Sequence, residues 1–175
     1  MNTRQIAVVL RHDPKTQTVF QGVFASDRLP SYIDHYPAAF VANVDPHTQP
    51  GSHWCAFYFT KDQQGEFFDS YGRKPQDYSD HFKQFLENNS KQWTYNHKEL
   101  QCLTSNVCGH YCLYFLLNRC RNLCLKTIVN RFTKKCTKND RIVYHFITRH
   151  FGHLIRSVRG KSVIHQVSKH NKQRM

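Results

Sequence analysis

The stretch QCLTSNVCGHYCLYFLL, residues 101–117, decides the fold, because a polar, turn-forming segment runs directly into an apolar segment with a cysteine at the junction. The pattern is helical from Val107 onward. A thiol at a helix N-terminus meets the positive end of the helix dipole and unpaired N–H groups, which favour the nucleophilic thiolate. Alternatively, Cys108 and Cys112 only pack one helix face. The position alone leaves both interpretations open, since a nucleophile also needs a base and a group that orients the base.

The length of 175 residues fits one domain with a real core, and we place this domain at residues 1–160, followed by a basic tail at 161–175. The longest apolar run, Cys112–Leu117, is too short for a membrane span or a signal peptide, so we expect a soluble, intracellular protein. Seven cysteines, an odd number, favour reduced thiols over a disulfide framework. We expect packing roles for Cys55, Cys102, Cys120, Cys124 and Cys136.

Strand patterns dominate the first half of the chain, and helical patterns the second. Runs of β-branched and aromatic residues predict strands at RQIAVVL (4–10), QTVFQGVF (17–24), AAFVANV (38–44), HWCAFYF (53–59), GEFFDSYG (65–72) and QWTYN (92–96). The first two runs fit two strands or one strand and a loop. Apolar residues at three and four spacing predict helices within 77–89, 107–119, 125–135 and 140–155.

A base and an orienting carboxylate are available on two neighbouring predicted strands. His53 opens one strand and Asp69 closes the next. If Thr60, Lys61 and Asp62 form a three-residue hairpin loop, His53 lies directly opposite Asp69, close enough for the carboxylate to hold the imidazole. A turn centred on Gln64 and Gly65 would separate the pair.

Two residues near Cys108 complete a candidate catalytic set. Gln101 lies seven residues before the thiol, so its amide can join the Cys108 backbone N–H as a donor pair for an oxyanion. Gly109 has no Cβ, which lets a substrate carbonyl approach the helix start. Each feature is weak alone, but the ordered set of His53, Asp69, Gln101 and Cys108 is specific.

This ordered set resembles the adenovirus endopeptidase family, the adenains. The resemblance extends to FQGVFASDRLPSYIDHYPAAFVANVD before His53 and NDRIVYHFITRHFGHLIRS near the end, and it covers most of residues 18–160. It implies an α+β fold, a central mixed sheet with the nucleophile helix packed against it. It also implies that Cys108 is the nucleophile, His53 the general base, Asp69 its orienter and Gln101 the oxyanion donor. Trp54 would pack beside the imidazole, and Trp54 and Gly109 would contact substrate.

Two features depart from the adenains. Asp69 stands where they have Glu, which is closer to the related SUMO and ubiquitin-like proteases. The segment LENNSKQWTYNHKE has no cysteine for the disulfide-linked activating peptide of the adenains. We therefore expect no cofactor for the chemistry and no covalent activator, with activation by DNA and a non-covalent peptide left open. The source is a virus or a virus-like DNA transposon, which the sequence does not decide.

Three functions compete. The first is a cysteine endopeptidase that cleaves Gly-containing sites in capsid or core precursor proteins, acting as a monomer in the virion and host nucleus or elsewhere inside the cell. The second keeps the chemistry but removes a ubiquitin-like modifier, as SUMO-type isopeptidases do. The third is a zinc-stabilised nucleic-acid module using Cys108, Cys112, Cys120 and Cys124. The helical pattern lacks the usual turn between these cysteines, so we favour the first and expect no metal.

The positive charge is concentrated in the last third of the chain. Residues 1–118 carry 10 Lys and Arg against 11 Asp and Glu, whereas residues 119–175 carry 15 against 1. Such asymmetry predicts binding to a polyanion, although a solvated helix face or a membrane surface would show the same charges. We expect sequence-independent binding to DNA and no membrane partner. The candidate contacts are Lys134, Lys135, Lys138, Arg141, Arg149 and Arg156, with His145 between them and Lys161, Lys169, Lys172 and Arg174 in the tail.

Overall fold

A five-stranded mixed sheet forms the centre of the computed structural model, which describes the backbone of residues 1–167 and the side chains of residues 1–158. The strands are β1 (Phe20–Phe24), β2 (Ala38–Asn43), β3 (Trp54–Phe59), β4 (Gln64–Phe68) and β5 (Gln92–Tyr95), in spatial order β1-β2-β3-β4-β5. The two outer pairs are parallel and the two inner pairs are antiparallel. Together with the helices, this arrangement confirms the predicted α+β class.

The helices are α1 (Thr3–His12), α2 (Asp80–Asn89), α3 (Cys108–Arg119), α4 (Leu125–Asn130) and α5 (Cys136–Val167). They pack on both faces of the sheet. Side chains of β3 point alternately to the two faces and contact different helices on each. Ala56 and Tyr58 join a cluster with α1, α3 and α5, whereas Cys55, Phe57 and Phe59 join a cluster with α2. Because successive side chains of a strand point to opposite faces, β3 lies at the centre of a three-layer core. Helix α3 is buried almost all round, which fixes its first residue against the end of β3.

The strand predicted at RQIAVVL is wrong, because these residues lie in α1. Asn2 and Gln5 form a capping box, each side chain bonding the other's backbone N–H. Ile6, Val9 and Leu10 are fully buried and share one helix face. The β-branched residues favour a strand locally, but burial of this face against α3, α5 and β1 outweighs that weak preference. The other five predicted strands are present.

The predicted register of the β3–β4 hairpin is also wrong. Phe57 pairs with Phe67 and Ala56 with Phe68, so Asp69 falls opposite Cys55 and not opposite His53. The loop is Lys61–Gln63, closed by the Thr60 N–H donating to the Gln64 carbonyl, and Gln63 adopts a left-handed φ of 62°. The register differs from the prediction by two residues, which leaves every side chain on its predicted face. His53 and Asp69 are therefore diagonal neighbours, still within reach of each other.

The cysteine prediction fails at three positions. Cys102 and Cys136 form a disulfide, with their Cα atoms 5.0 Å apart, that joins the loop before α3 to the first residue of α5. The two residues are 34 apart in the chain, and only the fold brings them together. Cys124 is exposed and so has no packing role, whereas Cys55 is buried and Cys120 half-buried.

Helix α5 continues beyond Arg156 to Val167 and so includes the first residues of the segment predicted as a tail. Its apolar stripe is anchored by Val143 and Ile147, which are fully buried against α1 and α3. Residues 168–175, with the predicted contacts Lys169, Lys172 and Arg174, lie outside the described residues, as does the side chain of Lys161. Among the helices in the described part of the chain, none is long and apolar enough to cross a membrane.

Candidate active site

Cys108 is the first residue of α3, at the end of the helix that abuts β3. Its neighbours include the His53 side chain and the backbone N–H groups of Trp54 and Gly109, which favour the thiolate over the thiol. Burial acts to raise the pKa of the thiol, but His53 and the two N–H donors outweigh it, so the pKa lies below its ordinary value. The site therefore favours the thiolate.

His53 precedes β3 and connects Cys108 to Asp69. Its Nε2 lies 2.6 Å from Oδ1 of Asp69, and since that nitrogen is engaged, Nδ1 is the one left for Cys108. Burial acts to lower the pKa of the imidazole, but hydrogen bonds to Asp69 and Cys108 and the negative charge of both raise it to about 9. The lowered thiol pKa and the raised imidazole pKa both favour the thiolate and imidazolium forms of the pair.

Asp69 is fully buried, and both of its carboxylate oxygens are occupied. Oδ1 faces His53, while Oδ2 accepts the Arg73 backbone N–H at 2.9 Å and the Tyr78 hydroxyl at 3.0 Å. The side chain of Asn96 bonds both backbone groups of Asp69, at 2.9 Å to the N–H and 2.6 Å to the carbonyl. These contacts fix the carboxylate in the orientation that holds His53.

Sequence reasoning missed the aromatic rings around the imidazole. Tyr71 stacks on His53 with a centroid separation of 4.8 Å, and Tyr78 stacks on it at 5.5 Å. The Trp54 indole instead packs with the cluster of α1 and α3, and its Nε1 donates to the Met1 carbonyl at 3.1 Å. A weak signal existed, because Tyr71 lies only two residues after Asp69 in DSYG, a segment that the structure folds into a tight turn in which the Gly72 N–H donates to the Asp69 carbonyl at 3.0 Å. For Tyr78, the sequence pattern indicates only the apolar face of a helix.

Gln101 is 1% exposed and its amide has a defined orientation. Its Oε1 accepts the Ser70 hydroxyl at 2.7 Å, and its Nε2 donates to the Ser105 carbonyl at 2.8 Å. An amide NH₂ has two N–H groups, so one of them remains beyond the Ser105 bond. Gln101 is thus a buried, pre-oriented donor on the loop that leads into Cys108.

The open space expected above Gly109 is filled by the protein itself. A Cβ at this position would lie 3.1 Å from Cβ of Met1 and 3.5 Å from Cδ1 of Ile6. The missing side chain therefore lets Met1 and the start of α1 pack closely on α3.

A cleft of about 480 Å³ lies beside Trp54. Val23, Phe24 and Trp54 supply apolar wall, while Arg28 and His47 add charged or polar side chains to its lining. Trp54 follows His53 in the chain, but Cys108, His53 and Gln101 are not among the residues that line this cleft.

One group of potential metal ligands appears among the described residues. Ligand atoms of His53, Cys55 and Asp69 lie within 4.8 Å of one another. Cys55 is fully buried and burial holds the pKa of its thiol well above the ordinary value, which opposes metal binding through a thiolate. The zinc set of Cys108, Cys112, Cys120 and Cys124 does not assemble in the part of the chain that the structure describes. Instead, the Cys112 thiol donates to the Trp54 carbonyl at 3.3 Å.

The predicted DNA contacts are all exposed and lie on or just before α5; they are Lys134, Lys135, Lys138, Arg141, Arg149 and Arg156. Lys138, Arg141 and His145 line one shallow surface depression. Arg149 and Arg156 follow at helical spacing, which extends the same face along the helix. The structure therefore places Lys138, Arg141, Arg149 and Arg156 on one basic face of α5, with Lys134 and Lys135 just before the helix.

The sequence matches no model of a known protein family and no curated protein. Among solved structures, the central domain of the uncharacterized Lpg1148 protein from Legionella pneumophila is similar to 85% of this chain, over 97% of its own length, with a TM-score of 0.50 and 13% identity. The ASFV pS273R protease is similar over 58% of this chain with 23% identity and a TM-score of 0.39, a superposition too partial to establish a shared fold. This chain covers 41% of that protease. The likeness to the Legionella domain shows a shared α+β fold.

Proposed function

We propose that this chain is a cysteine endopeptidase with Cys108 as nucleophile, His53 as general acid and base and Asp69 as the orienting carboxylate. The observation that carries the proposal is the His53 imidazole, which lies 2.6 Å from the buried Asp69 carboxylate and lowers the pKa of the Cys108 thiol. Packing alone does not account for it, because a merely packed thiol, such as Cys112 in the same helix, has a raised pKa. The resemblance to the adenains points to the same residues.

The reaction follows from this geometry. The Cys108 thiolate attacks the scissile carbonyl carbon, a C–S bond forms, and the carbonyl π electrons move to the oxygen. Gln101 and the Cys108 backbone N–H, which lacks an intrahelical partner at the first helical position, stabilise that oxyanion. As the carbonyl re-forms, the C–N bond breaks and the leaving amine takes the proton of His53. Water then attacks the thioester while His53 accepts its proton, which releases the acid and restores Cys108.

The substrate proposal is a Gly-containing site in a viral or virus-like capsid or core precursor. The resemblance supplies the preference for Gly. The basic face of α5 has no role in removing a ubiquitin-like modifier, so we rank that activity second.

Peptide cleavage tests the proposal directly. The purified chain should cut a peptide library at Gly-containing sites, as read by mass spectrometry, and Cys108→Ala should abolish cutting. Cys124→Ser is the matched control, because it removes an exposed thiol far from His53 in the sequence and should leave the rate unchanged. Cleavage by the Cys108→Ala protein, or preferred cleavage after Lys or Arg, would contradict the proposal. Faster cleavage of a folded modifier conjugate than of any peptide would favour the second activity.

We further propose that duplex DNA binds the basic face of α5 without reading its sequence and stimulates cleavage. The support is the charge contrast within the chain together with the exposure of the basic residues on one helix face. Each phosphate neutralised by Lys or Arg releases counterions, so the binding should weaken steeply as salt rises. Binding and cleavage measured across a salt series, with duplexes of different sequence, test this. Salt-insensitive binding or a strong preference for one sequence would contradict it.

A further inference from the structure

Ser70 is buried next to Asp69 and makes three hydrogen bonds to Leu100 and Gln101, through its carbonyl and its hydroxyl. Its carbonyl accepts the Leu100 N–H at 2.9 Å and the Gln101 N–H at 3.1 Å, and its hydroxyl donates to the Gln101 Oε1 at 2.7 Å. Ser70 is 1% exposed, as is Gln101. Ser70 therefore holds both the backbone and the side chain of Gln101 in place.

The same residue follows Asp69 directly in the chain. Asp69 holds His53, and its backbone is fixed by Asn96, so the position of Ser70 is fixed relative to the imidazole. The peptide unit between Asp69 and Ser70 thus links the group that orients the base to the group that orients the amide. The Cys102–Cys136 disulfide holds the residue after Gln101 from the side of α5.

The two hydrogen bonds of the Gln101 amide also decide which end of it is nitrogen. The Ser105 carbonyl can only accept, so the amide atom 2.8 Å from it is the NH₂ group, and the atom facing Ser70 is the oxygen. The Ser70 hydroxyl must then donate. A donor on Oε1 polarises the amide and strengthens its N–H groups as donors.

We infer that Ser70 is a positioning residue that orients and polarises the Gln101 amide for the oxyanion. This inference rests on the proposed function, because it assigns a part in the same reaction. Ser70 does not touch the reacting atoms. It acts through Gln101, so its contribution should disappear when Gln101 is absent.

A double-mutant cycle tests the inference. Gln101→Ala should lower kcat by about 10²- to 10³-fold, the usual loss for one oxyanion donor. Ser70→Ala should lower kcat by about 10-fold with little change in KM, because the amide stays in place but loses its orientation. The Ser70→Ala, Gln101→Ala double variant should be no slower than Gln101→Ala alone. An equal loss from Ser70→Ala in both backgrounds would overturn the inference.

Two thiol reagents separate this role from a structural one. A peptide aldehyde forms a C–S bond with Cys108 and places the former carbonyl oxygen where the oxyanion develops, so its affinity should fall in both Ser70→Ala and Gln101→Ala. Iodoacetamide forms a C–S bond with loss of iodide and creates no oxyanion, so its rate with Cys108 should stay the same. A parallel fall in both reactions would show that Ser70→Ala disturbs the fold or the thiolate, and would overturn the inference.

The same set of proteins separates this inference from the proposed function. If Cys108→Ala and Gln101→Ala cut peptides normally, the proposed function itself fails. If those two variants are impaired but Ser70→Ala has wild-type kcat and aldehyde affinity, only the role of Ser70 fails.

Discussion

The end of the sheet around Cys108 and the basic face of α5 both carry ionisable groups. Those around Cys108 are buried and paired with specific partners, whereas those on α5 are exposed. His53 is 7% and Asp69 0% exposed, and each has a specific partner at hydrogen-bond distance. Lys138, Arg141 and Arg149 are exposed, and the ion pairs among the described residues include none of them. The proposed activity of the candidate site depends on the exact positions of its side chains, whereas the proposed DNA binding depends on the number of charges on the basic face.

This difference predicts how substitutions should act. Substitution of a buried group that is held by several hydrogen bonds should have a large effect on activity, because the partners left behind are unsatisfied. An exposed cation contributes a small, additive and salt-sensitive amount. Substitutions at the two regions should therefore differ in size and in their response to salt.

The largest effect is expected at His53. His53→Ala removes both the base that forms the thiolate and the acid that protonates the leaving amine, so kcat/KM for peptide cleavage should fall by about 10³-fold or more. His81→Ala, at an exposed position of α2, is the control and should keep the wild-type rate. A rate within a few-fold of wild type in His53→Ala would show that the buried pair is only structural.

Asp69→Asn should have the next largest effect, with a loss of about 10²- to 10⁴-fold and a residual rate above background, since orientation is weakened and the thiol remains. The pH profile provides a second readout. In the wild type, activity should fall as pH rises through about 9, where His53 loses the proton that the leaving amine needs. Without the carboxylate that helps to raise the pKa of His53, this limb should move to lower pH. Asp62→Asn, in the exposed hairpin loop, is the control, and an unmoved limb in Asp69→Asn would contradict the assignment.

Tyr78→Phe should have a smaller effect. The substitution keeps the ring that stacks on His53 but removes the hydroxyl that donates to Asp69, so kcat should fall by about 2- to 10-fold, the value of one hydrogen bond. Tyr71→Phe also keeps a stacked ring, and the hydrogen bonds of the described residues do not include the Tyr71 hydroxyl, so its rate should not change. Equal losses in the two variants would show that the ring environment, and not the hydroxyl, is what matters.

The smallest effect is expected for a single charge on α5. Arg141→Glu should weaken DNA binding by a modest factor and reduce the slope of log K against log salt by about 1 for each phosphate that is no longer neutralised, while cleavage without DNA stays unchanged. Lys83→Glu makes the same charge change on α2 and should leave binding almost intact. If the two variants weaken binding equally, net charge and not the basic face governs it.

The sequence predicted the sheet and the central helix well, because their patterns are strong. The continuous apolar runs of β3 and α3 fit only buried elements. Helix α1 was missed although Asn2 and Gln5 provide a capping signal, because Ile6, Val8 and Val9 favour a strand when they are judged locally. The turn residues at Thr60–Gln64 did not fix the hairpin register. The left-handed position of the loop is occupied by Gln63, whereas a glycine there would have marked the turn in the sequence.

Part of the candidate site could also be predicted from a strong sequence pattern. The sequence indicated His53, Asp69 and Cys108 as candidates because their spacing matches a known arrangement, and a register error of two residues leaves each side chain on its predicted face of the sheet. Tyr78 and Asn96 were not found, because their contacts with Asp69 depend on how α2 and β5 return to the sheet. The Cys102–Cys136 disulfide depends likewise on the packing of α5.

The pH dependence of Cys108 alkylation tests the central claim most directly, since it reports the thiolate without any substrate. In a Cys124→Ser background, iodoacetamide should modify Cys108 with an apparent pKa below the ordinary thiol value of about 8.5, as mass spectrometry of the Cys108 peptide would show. In His53→Ala, the hydrogen bond and positive charge that lower this pKa are lost while burial remains, so the apparent pKa should rise to the ordinary value or above. Identical alkylation profiles in the two proteins would contradict the account.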